Sequence, residues 1–404
     1  MSSDEHLSLL LSTLAQVALS VELQPTLQIL LESLQTLVPC DAGGIFVREP
    51  NRHAIRAYAA RGYPGDLDMA AVDDLVSEVI RAGQPRLVRA TGRDATPIAW
   101  RASTAAHLTV PLASSRGILG AISLESDRAS AFDDQERSLV TLFAQQATVV
   151  LERALLHEQL TRQSRFRREM EIAGEIMKSL TPAAAPVLPG VQLFGRSLTA
   201  ESVGGDAYDY IPYPDHQLGL GIADAKGKGL PAALLAVAHR AMLHALAGLE
   251  LRLRATFGRM SDILARSLPT GNFVTAFYGI VDLTERRMVY ANAGHLPPLV
   301  VRKNGAVESL AVTGPALGFP GLAPMREAYV AFGPGEGLVL FTDGVTEAGP
   351  SPDDFFDVSG VEATVRALWP GDAEAIGAGL LDEATRHGGG VLADDATVVV
   401  MKFD

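Results

Sequence analysis

The stretch Leu218-Gly219-Leu220-Gly221-Ile222-Ala223-Asp224-Ala225-Lys226-Gly227-Lys228-Gly229-Leu230-Pro231 runs an apolar segment into a carboxylate and then into a glycine-rich turn. It reads as a strand over Leu218–Ala223, a loop carrying Asp224, and a helix over Leu230–Ala247. The turn is not a phosphate-binding P-loop, because the residue five after Gly221 is Lys226 and not glycine. Three more aspartates share the arrangement. Asp343 follows Leu338-Val-Leu-Phe-Thr, Asp394 precedes Ala396-Thr-Val-Val-Val, and Asp206 follows Gly204-Gly205. Carboxylates gathered at one rim of a sheet repel and raise one another's pKa unless a cation neutralises them. Oxygen donors without Cys or His suit hard ions such as Mg²⁺ or Mn²⁺. Aspartates beside glycines also serve as plain turn residues, and the residue pattern alone leaves that reading open.

Around these aspartates the chain alternates strand and helix patterns. Strands are expected at Val191–Leu198, Phe273–Val281, Met288–Asn292, Leu299–Arg302, Leu338–Phe341 and Thr397–Phe403, with a second helix over Ala373–His387. Strand runs with helices in two blocks indicate α+β with antiparallel sheets rather than strict βαβ alternation. His239 and His244 lie five apart on the first helix and lack the spacing of a zinc-protease helix.

Five motifs follow in order: Gly204-Gly205-Asp206-Ala-Tyr208-Asp209, Ala223-Asp224-Ala-Lys-Gly227-Lys-Gly229-Leu-Pro231, Asn292-Ala-Gly-His295-Leu-Pro-Pro298, Phe341-Thr-Asp343-Gly344-Val-Thr-Glu347 and Asp394-Asp395-Ala-Thr397. Together they resemble the bacterial PPM (type 2C) phosphatases of sporulation and stress-response partner switching. The resemblance covers roughly Gly190 to Asp404. It implies an αββα sandwich with two divalent ions, Mn²⁺ or Mg²⁺, at one end. By that resemblance Asp224 bridges both ions, Asp343 and Asp394 complete one site, and Asp206 with the Ala225 carbonyl completes the other. A water between the ions would then attack phosphorus directly. Some positions depart from the family pattern: Ala223 stands where glycine is usual, and Ala225-Lys226 where Val-Ser is common. Lys228 takes a place often held by His, and His295 reads as packing or support for the site.

Upstream, Leu7–Val21 and the stripe Leu27, Leu30, Leu31, Leu34 and Leu37 have helical spacing, followed by short strands at Gly44–Val47, Ala54–Ala60, Leu108–Leu112 and Ile118–Leu124. Cys40-Asp41-Ala42-Gly43-Gly44-Ile45, Leu108-Thr-Val-Pro111-Leu112, Gly117-Ile-Leu-Gly120 and Phe132-Asp133-Asp134 resemble a GAF sensor domain, whose ligand is not readable. A helix capped by Asp133 runs on from it. Its runs Phe143, Ala147, Val150, Ala154 and Phe166, Met170, Ala173, Met177, Leu180 suit a coiled coil with a slip in register. Pro182, Pro186 and Pro189 mark its end. The expected architecture is therefore a GAF domain over 1–156 (central antiparallel sheet with flanking helices), a helical coiled-coil linker over 157–189, and a phosphatase sandwich over 190–404. The seams are expected to pair as a homodimer, against the alternative that they pack within the chain.

A net charge of −13 argues against a nucleic-acid partner. A single cysteine, Cys40, excludes an intrachain disulfide and suits a reducing cytoplasm. The first residues lack a signal-peptide pattern, and His239, Arg240 and His244 interrupt the most apolar stretch, so no membrane span is expected. The expected function is a GAF-regulated serine/threonine phosphatase acting on a phosphorylated anti-anti-sigma-type regulator. The competing readings are a catalytically weak scaffold that binds such a regulator and a two-metal phosphohydrolase of a small molecule.

Overall fold

The computed structural model describes residues 23–48, 55–63, 69–89, 100–115, 117–248, 252–269, 271–319 and 321–404. The expected helix Leu7–Val21 lies outside them. The chain divides into two compact units, Met1–Arg165 and Phe166–Asp404.

In the first unit, helix α1 (Leu23–Leu37) precedes strands β1 (Ala42–Arg48) and β2 (Ile55–Arg61), helix α2 (Met69–Ala82), and strands β3 (Arg86–Arg89), β4 (Ala106–Ser114) and β5 (Gly117–Ser126). They form one antiparallel sheet of order β2-β1-β5-β4-β3. Alternate residues Ile45, Leu108, Val110, Ile122 and Leu124 turn to one face, where Leu27, Leu30 and Leu34 of α1 complete the core. The long helix α3 (Asp134–Leu180, 47 residues) begins there. Asp133 caps it as the sequence indicates, in a reciprocal capping box. The Glu136 N–H donates to Asp133 Oδ1 at 2.8 Å, and the Asp133 N–H donates to Glu136 Oε2 at 3.0 Å.

One expectation fails on α3. The sequence pattern makes the run starting at Phe143 a seam for a second chain, yet Phe143, Ala147 and Leu151 are buried in this unit's own core with Val140. A local helical pattern shows which face is apolar but not what covers it. The face left open carries Leu142, Val149 and Leu156, spaced by seven and 42%, 60% and 45% exposed. Polar residues from Gln159 to Arg165 do not interrupt the helix, which ends at Leu180 just ahead of Pro182.

The second unit holds two antiparallel sheets. One comprises β7 (Asp206–Tyr213), β8 (Gln217–Ala225), β9 (Val274–Asp282), β10 (Arg287–Ala293) and β13 (Ala328–Ala331), in the order β13-β10-β9-β8-β7. The other comprises β6 (Val191–Leu198), β11 (Leu299–Val301), β12 (Val307–Ser309), β14 (Gly337–Phe341) and β15 (Ala396–Phe403), in the order β12-β11-β14-β15-β6. Leu218, Leu220, Ile222 and Phe277 of the first sheet pack against Leu338, Leu340, Val399 and Met401 of the second. The outer faces are covered by helices. On the first sheet lie α4 (Gly229–Ala247) and α5 (Leu253–Ser267), with Ala232, Leu235, Phe257 and Met260 against Val274 and Tyr278. A one-turn helix, α6 (Asp343–Thr346), follows β14. On the second sheet lie α7 (Asp357–Leu368) and α8 (Ala373–His387), with Val361, Val365, Ile376 and Leu380 against Val398 and Val400.

β15 shows why these strands read as unbroken apolar runs: Val398 and Val400 face the helices while Val399 and Met401 face the other sheet. The architecture is α+β, an antiparallel sheet with flanking helices and an αββα sandwich with a helical segment between them. By composition and length alone α3 and α4 would suffice to cross a bilayer, but Ala232, Ala233, Leu235, Ala236 and Leu243 of α4 are buried against protein. The sequence did not reveal β7, α2, α5 or α7. Asp206, Asp209 and Pro212 disguise β7, and Pro212 is tolerated there because β7 is an edge strand.

Candidate active site

The sandwich brings the aspartates to one rim. Asp206 opens β7 and Asp224 lies at the end of β8, and the antiparallel register makes them direct partners. Asp343 starts α6 immediately beyond β14, and Asp394 stands two residues before β15. Because β14 and β15 pair with Phe341 opposite Val398, the carboxylates of the second sheet leave it side by side. Gly344 allows this closeness, since a Cβ there would lie 2.1 Å from the Asp395 carbonyl oxygen.

The electrostatics follow from the crowding. Burial, then Asp343, Asp394, Asp395 and Glu347, pushes Asp224 up to about 7. Burial, then Glu347 and Asp394, raises Asp343 to about 6. Asp206 is held well above the usual carboxylate range by burial and by Asp224, against the opposing pull of two threonine hydroxyls. Those hydroxyls come from the opposite sheet: Thr342 Oγ1 and Thr397 Oγ1 each lie 2.7 Å from Asp206 Oδ2. The Thr397 N–H donates to Thr342 Oγ1 at 2.9 Å, which fixes the direction of the Thr342 bond.

Asp395 is a second anchor. Its carboxylate accepts the N–H groups of Ala200 at 2.9 Å and Gly205 at 2.7 Å, so it holds the loop that delivers Asp206. The Ala225 N–H donates to the Gly205 carbonyl at 3.1 Å, joining the same loop to the end of β8. Sequence reasoning singled out neither Thr342, Thr397 nor Asp395 as site residues. Their signal was present only as neighbours of Asp343 and Asp394.

The two lysines of the Asp224 loop diverge. Lys226 Nζ donates to the Gly271 carbonyl at 2.8 Å and lies 5.3 Å from the Phe273 ring centre. Lys228 Nζ donates to the Ala393 carbonyl at 2.6 Å and lies 3.1 Å from Asp394 Oδ2. Arg240, whose Nε is 2.8 Å from Asp209 Oδ2, ion-pairs Asp209, and His244 Nε2 hydrogen-bonds the same carboxylate, so both tie α4 to β7. His295 is buried between the sheets.

The donor set fits hard divalent ions. It is oxygen-only at Asp206, Asp224, Asp343 and Asp394, and its mutual repulsion is what a cation would relieve. Among the described residues, no three His, Cys, Asp or Glu side chains already close on one point as a finished ion cage. Asp206 spends one oxygen on the two threonines.

This sandwich, with carboxylates at one rim, is the fold of PP2C-type phosphatase domains. Two solved structures share it: the SiaA PP2C domain of Pseudomonas aeruginosa (TM-score 0.52, 24% identity, 60% of this chain and 99% of that one) and the RsbU and RsbW domains of a Mycobacterium tuberculosis protein (TM-score 0.50, 21% identity, 55% and 62%). Residues 214–404 match the family described as Stage II sporulation protein E (SpoIIE), and residues 20–152 match a GAF domain. The chain thus joins a stretch that matches a GAF domain to one that matches the SpoIIE family, on a PP2C-type fold. Similar proteins include Protein IcfG of Synechocystis sp. (26% identity, 58% of this chain and 41% of the relative) and two proteins of Bacillus subtilis. These are phosphoserine phosphatase RsbU (23%, 59% and 71%) and phosphoserine phosphatase RsbP (26%, 45% and 46%). The chain spans less than half the length of IcfG and of RsbP.

Proposed function

We propose that this chain is a metal-dependent protein serine/threonine phosphatase, regulated by its GAF domain, whose substrate is a phosphorylated anti-anti-sigma-type regulator. The observation that carries the reading is the convergence of Asp206 and Asp224 from one sheet with Asp343 and Asp394 from the other. RsbU and RsbP, both phosphoserine phosphatases, support the reaction class.

Two divalent ions, Mn²⁺ or Mg²⁺, would be held with Asp224 between them, Asp343 and Asp394 on one side, and Asp206 with the Ala225 carbonyl on the other. When bound, such ions make water a nucleophile at neutral pH and neutralise phosphate charge. The chain's own residues do the positioning. Thr342 and Thr397 orient Asp206, Asp395 secures its loop, and Lys228 sets a positive charge beside Asp394 at the exposed rim.

The domain limits we adopt are 1–156 for the GAF domain, 157–189 for the linker and 190–404 for the phosphatase. The open stripe Leu142, Val149 and Leu156 suits a parallel homodimer along α3, because a seven-residue repeat keeps one face toward a partner helix. The GAF domain would act through that helix on an unidentified signal. We place the protein in the cytoplasm, with neither nucleic acid nor membrane as partner. The direct test is phosphate release from a phosphoserine-bearing anti-anti-sigma-type protein with Mn²⁺ or Mg²⁺. Release is expected with either ion and lost with chelator. Equal release under chelation would contradict the reading.

A further inference from the structure

His295 is buried, and every polar atom of its ring and backbone N–H has a partner at the base of the carboxylate rim. Nε2 lies 3.1 Å from the Phe341 carbonyl oxygen and Nδ1 lies 3.0 Å from Thr275 Oγ1. A carbonyl only accepts, so Nε2 carries the ring proton and donates it to Phe341. Nδ1 is then a lone pair, and the Thr275 hydroxyl donates to it. The two partners are in different sheets. Thr275 is on β9, directly opposite Asp224 on β8. Phe341 ends β14, two residues before Asp343.

The ring's own mounting is rigid. The His295 N–H donates to Asn292 Oδ1 at 2.8 Å, while the Asn292 carbonyl accepts the N–H groups of Thr313 and Gly314 at 2.9 and 3.0 Å. Gly294 between them has φ of 67°, and a Cβ there would come within 2.9 Å of the Ala316 N atom. Only glycine suits both that conformation and that closeness. The Asn292-Ala293-Gly294-His295 turn therefore presents one imidazole at a set height between the sheets.

We propose that His295 is a positioning residue: a strut that fixes the separation of Asp224 and Asp343 by bonding Thr275 in one sheet and the Phe341 carbonyl in the other. Other polar links cross at this end, from the Thr342 and Thr397 hydroxyls to Asp206, from the Gly205 N–H to Asp395 and from Lys228 to the Ala393 carbonyl, but none of these bonds the strand of Thr275 to Phe341. Burial supports the assignment, since it lowers the imidazole to about 4 and leaves it uncharged at neutral pH. This inference rests on the phosphatase reading, because it concerns the ion-binding carboxylates of that site.

The test is calorimetric titration of Mn²⁺ into the full chain and three variants, with urea unfolding run in parallel. H295L keeps bulk and removes both bonds. H295Q restores one donor and one acceptor. T275V removes only the Nδ1 partner. Loss of an outer partner of metal ligands typically costs about 10–100-fold in metal affinity. H295L is expected to bind Mn²⁺ at least about tenfold more weakly, with H295Q recovering most of the loss. T275V should fall between them. A purely space-filling histidine would give H295L and the parent equal affinity, and that result overturns the strut. Should H295L fail to fold, T275V decides in the same way: unchanged affinity overturns the proposal. If the parent itself bound neither Mn²⁺ nor Mg²⁺, the phosphatase reading would fail and the strut with it.

Discussion

Asp206 and Asp224 face each other as register partners on adjacent strands, yet they are held differently. Asp206 has one oxygen clasped by two threonines from the opposite sheet, whereas Asp224 is surrounded chiefly by other carboxylates. One is positioned by hydrogen bonds and the other is crowded by like charge.

The threonine clasp gives the first expectation. Thr342→Val removes a buried bond to Asp206 and orphans the Thr397 N–H. A hydrogen bond to a charged group contributes about 1.5–3 kcal/mol, and an unsatisfied buried donor costs about 1–3 kcal/mol. Urea unfolding of T342V should show a loss of about 2.5–6 kcal/mol. A stability equal to the parent would mean that the clasp is not formed.

Crowding predicts a pH dependence in metal-free protein. Asp224 and Asp343 sit at about 7 and about 6 in the fold, against an ordinary 3.8. The folded chain therefore binds protons more readily than the unfolded one. Their stabilising protonation is complete below about 4 and is lost as pH rises through about 6 and about 7. Chelated protein should show a falling contribution to Tm from pH 5 to pH 8, and Mg²⁺ should raise Tm more at pH 8 than at pH 5.5. An Mg²⁺ effect independent of pH would contradict the charge crowding.

The two faces of α3 should behave oppositely. Phe143→Ala opens a cavity in the first unit's core and should cost about 3–5 kcal/mol. Val149→Glu with Leu156→Glu should leave folding intact but turn a dimer into a monomer in light scattering. A dimer that survives the double change would move the interface elsewhere.

Much of this arrangement was legible in the residues, for a physical reason. A carboxylate at the end of an apolar strand leaves a local signature, so Asp224, Asp343 and Asp394 could be placed at strand ends before any coordinates. Thr342, Thr397 and Asp395 could not be read as anchors, because their role depends on which strands from distant sequence come to lie together. The same reason explains the misreading at Phe143: the helix pattern announces an apolar face, while the sheet that covers it is assembled from residues 45 to 124. From sequence, His295 reads only as packing or support for the site. Its two bonds span sheets that the sequence does not put in register.

The measurement that bears most directly on the account is Mn²⁺-dependent phosphate release by the parent and by Asp224→Asn, with Mn²⁺ binding recorded on both. Asn keeps the shape and removes the charge between Asp206 and Asp343. The account predicts release by the parent that requires the ion. In Asp224→Asn it predicts weakened Mn²⁺ binding and a rate lower by on the order of 10²-fold or more, the scale lost with one transition-state stabiliser. Full metal-dependent turnover by Asp224→Asn would contradict it.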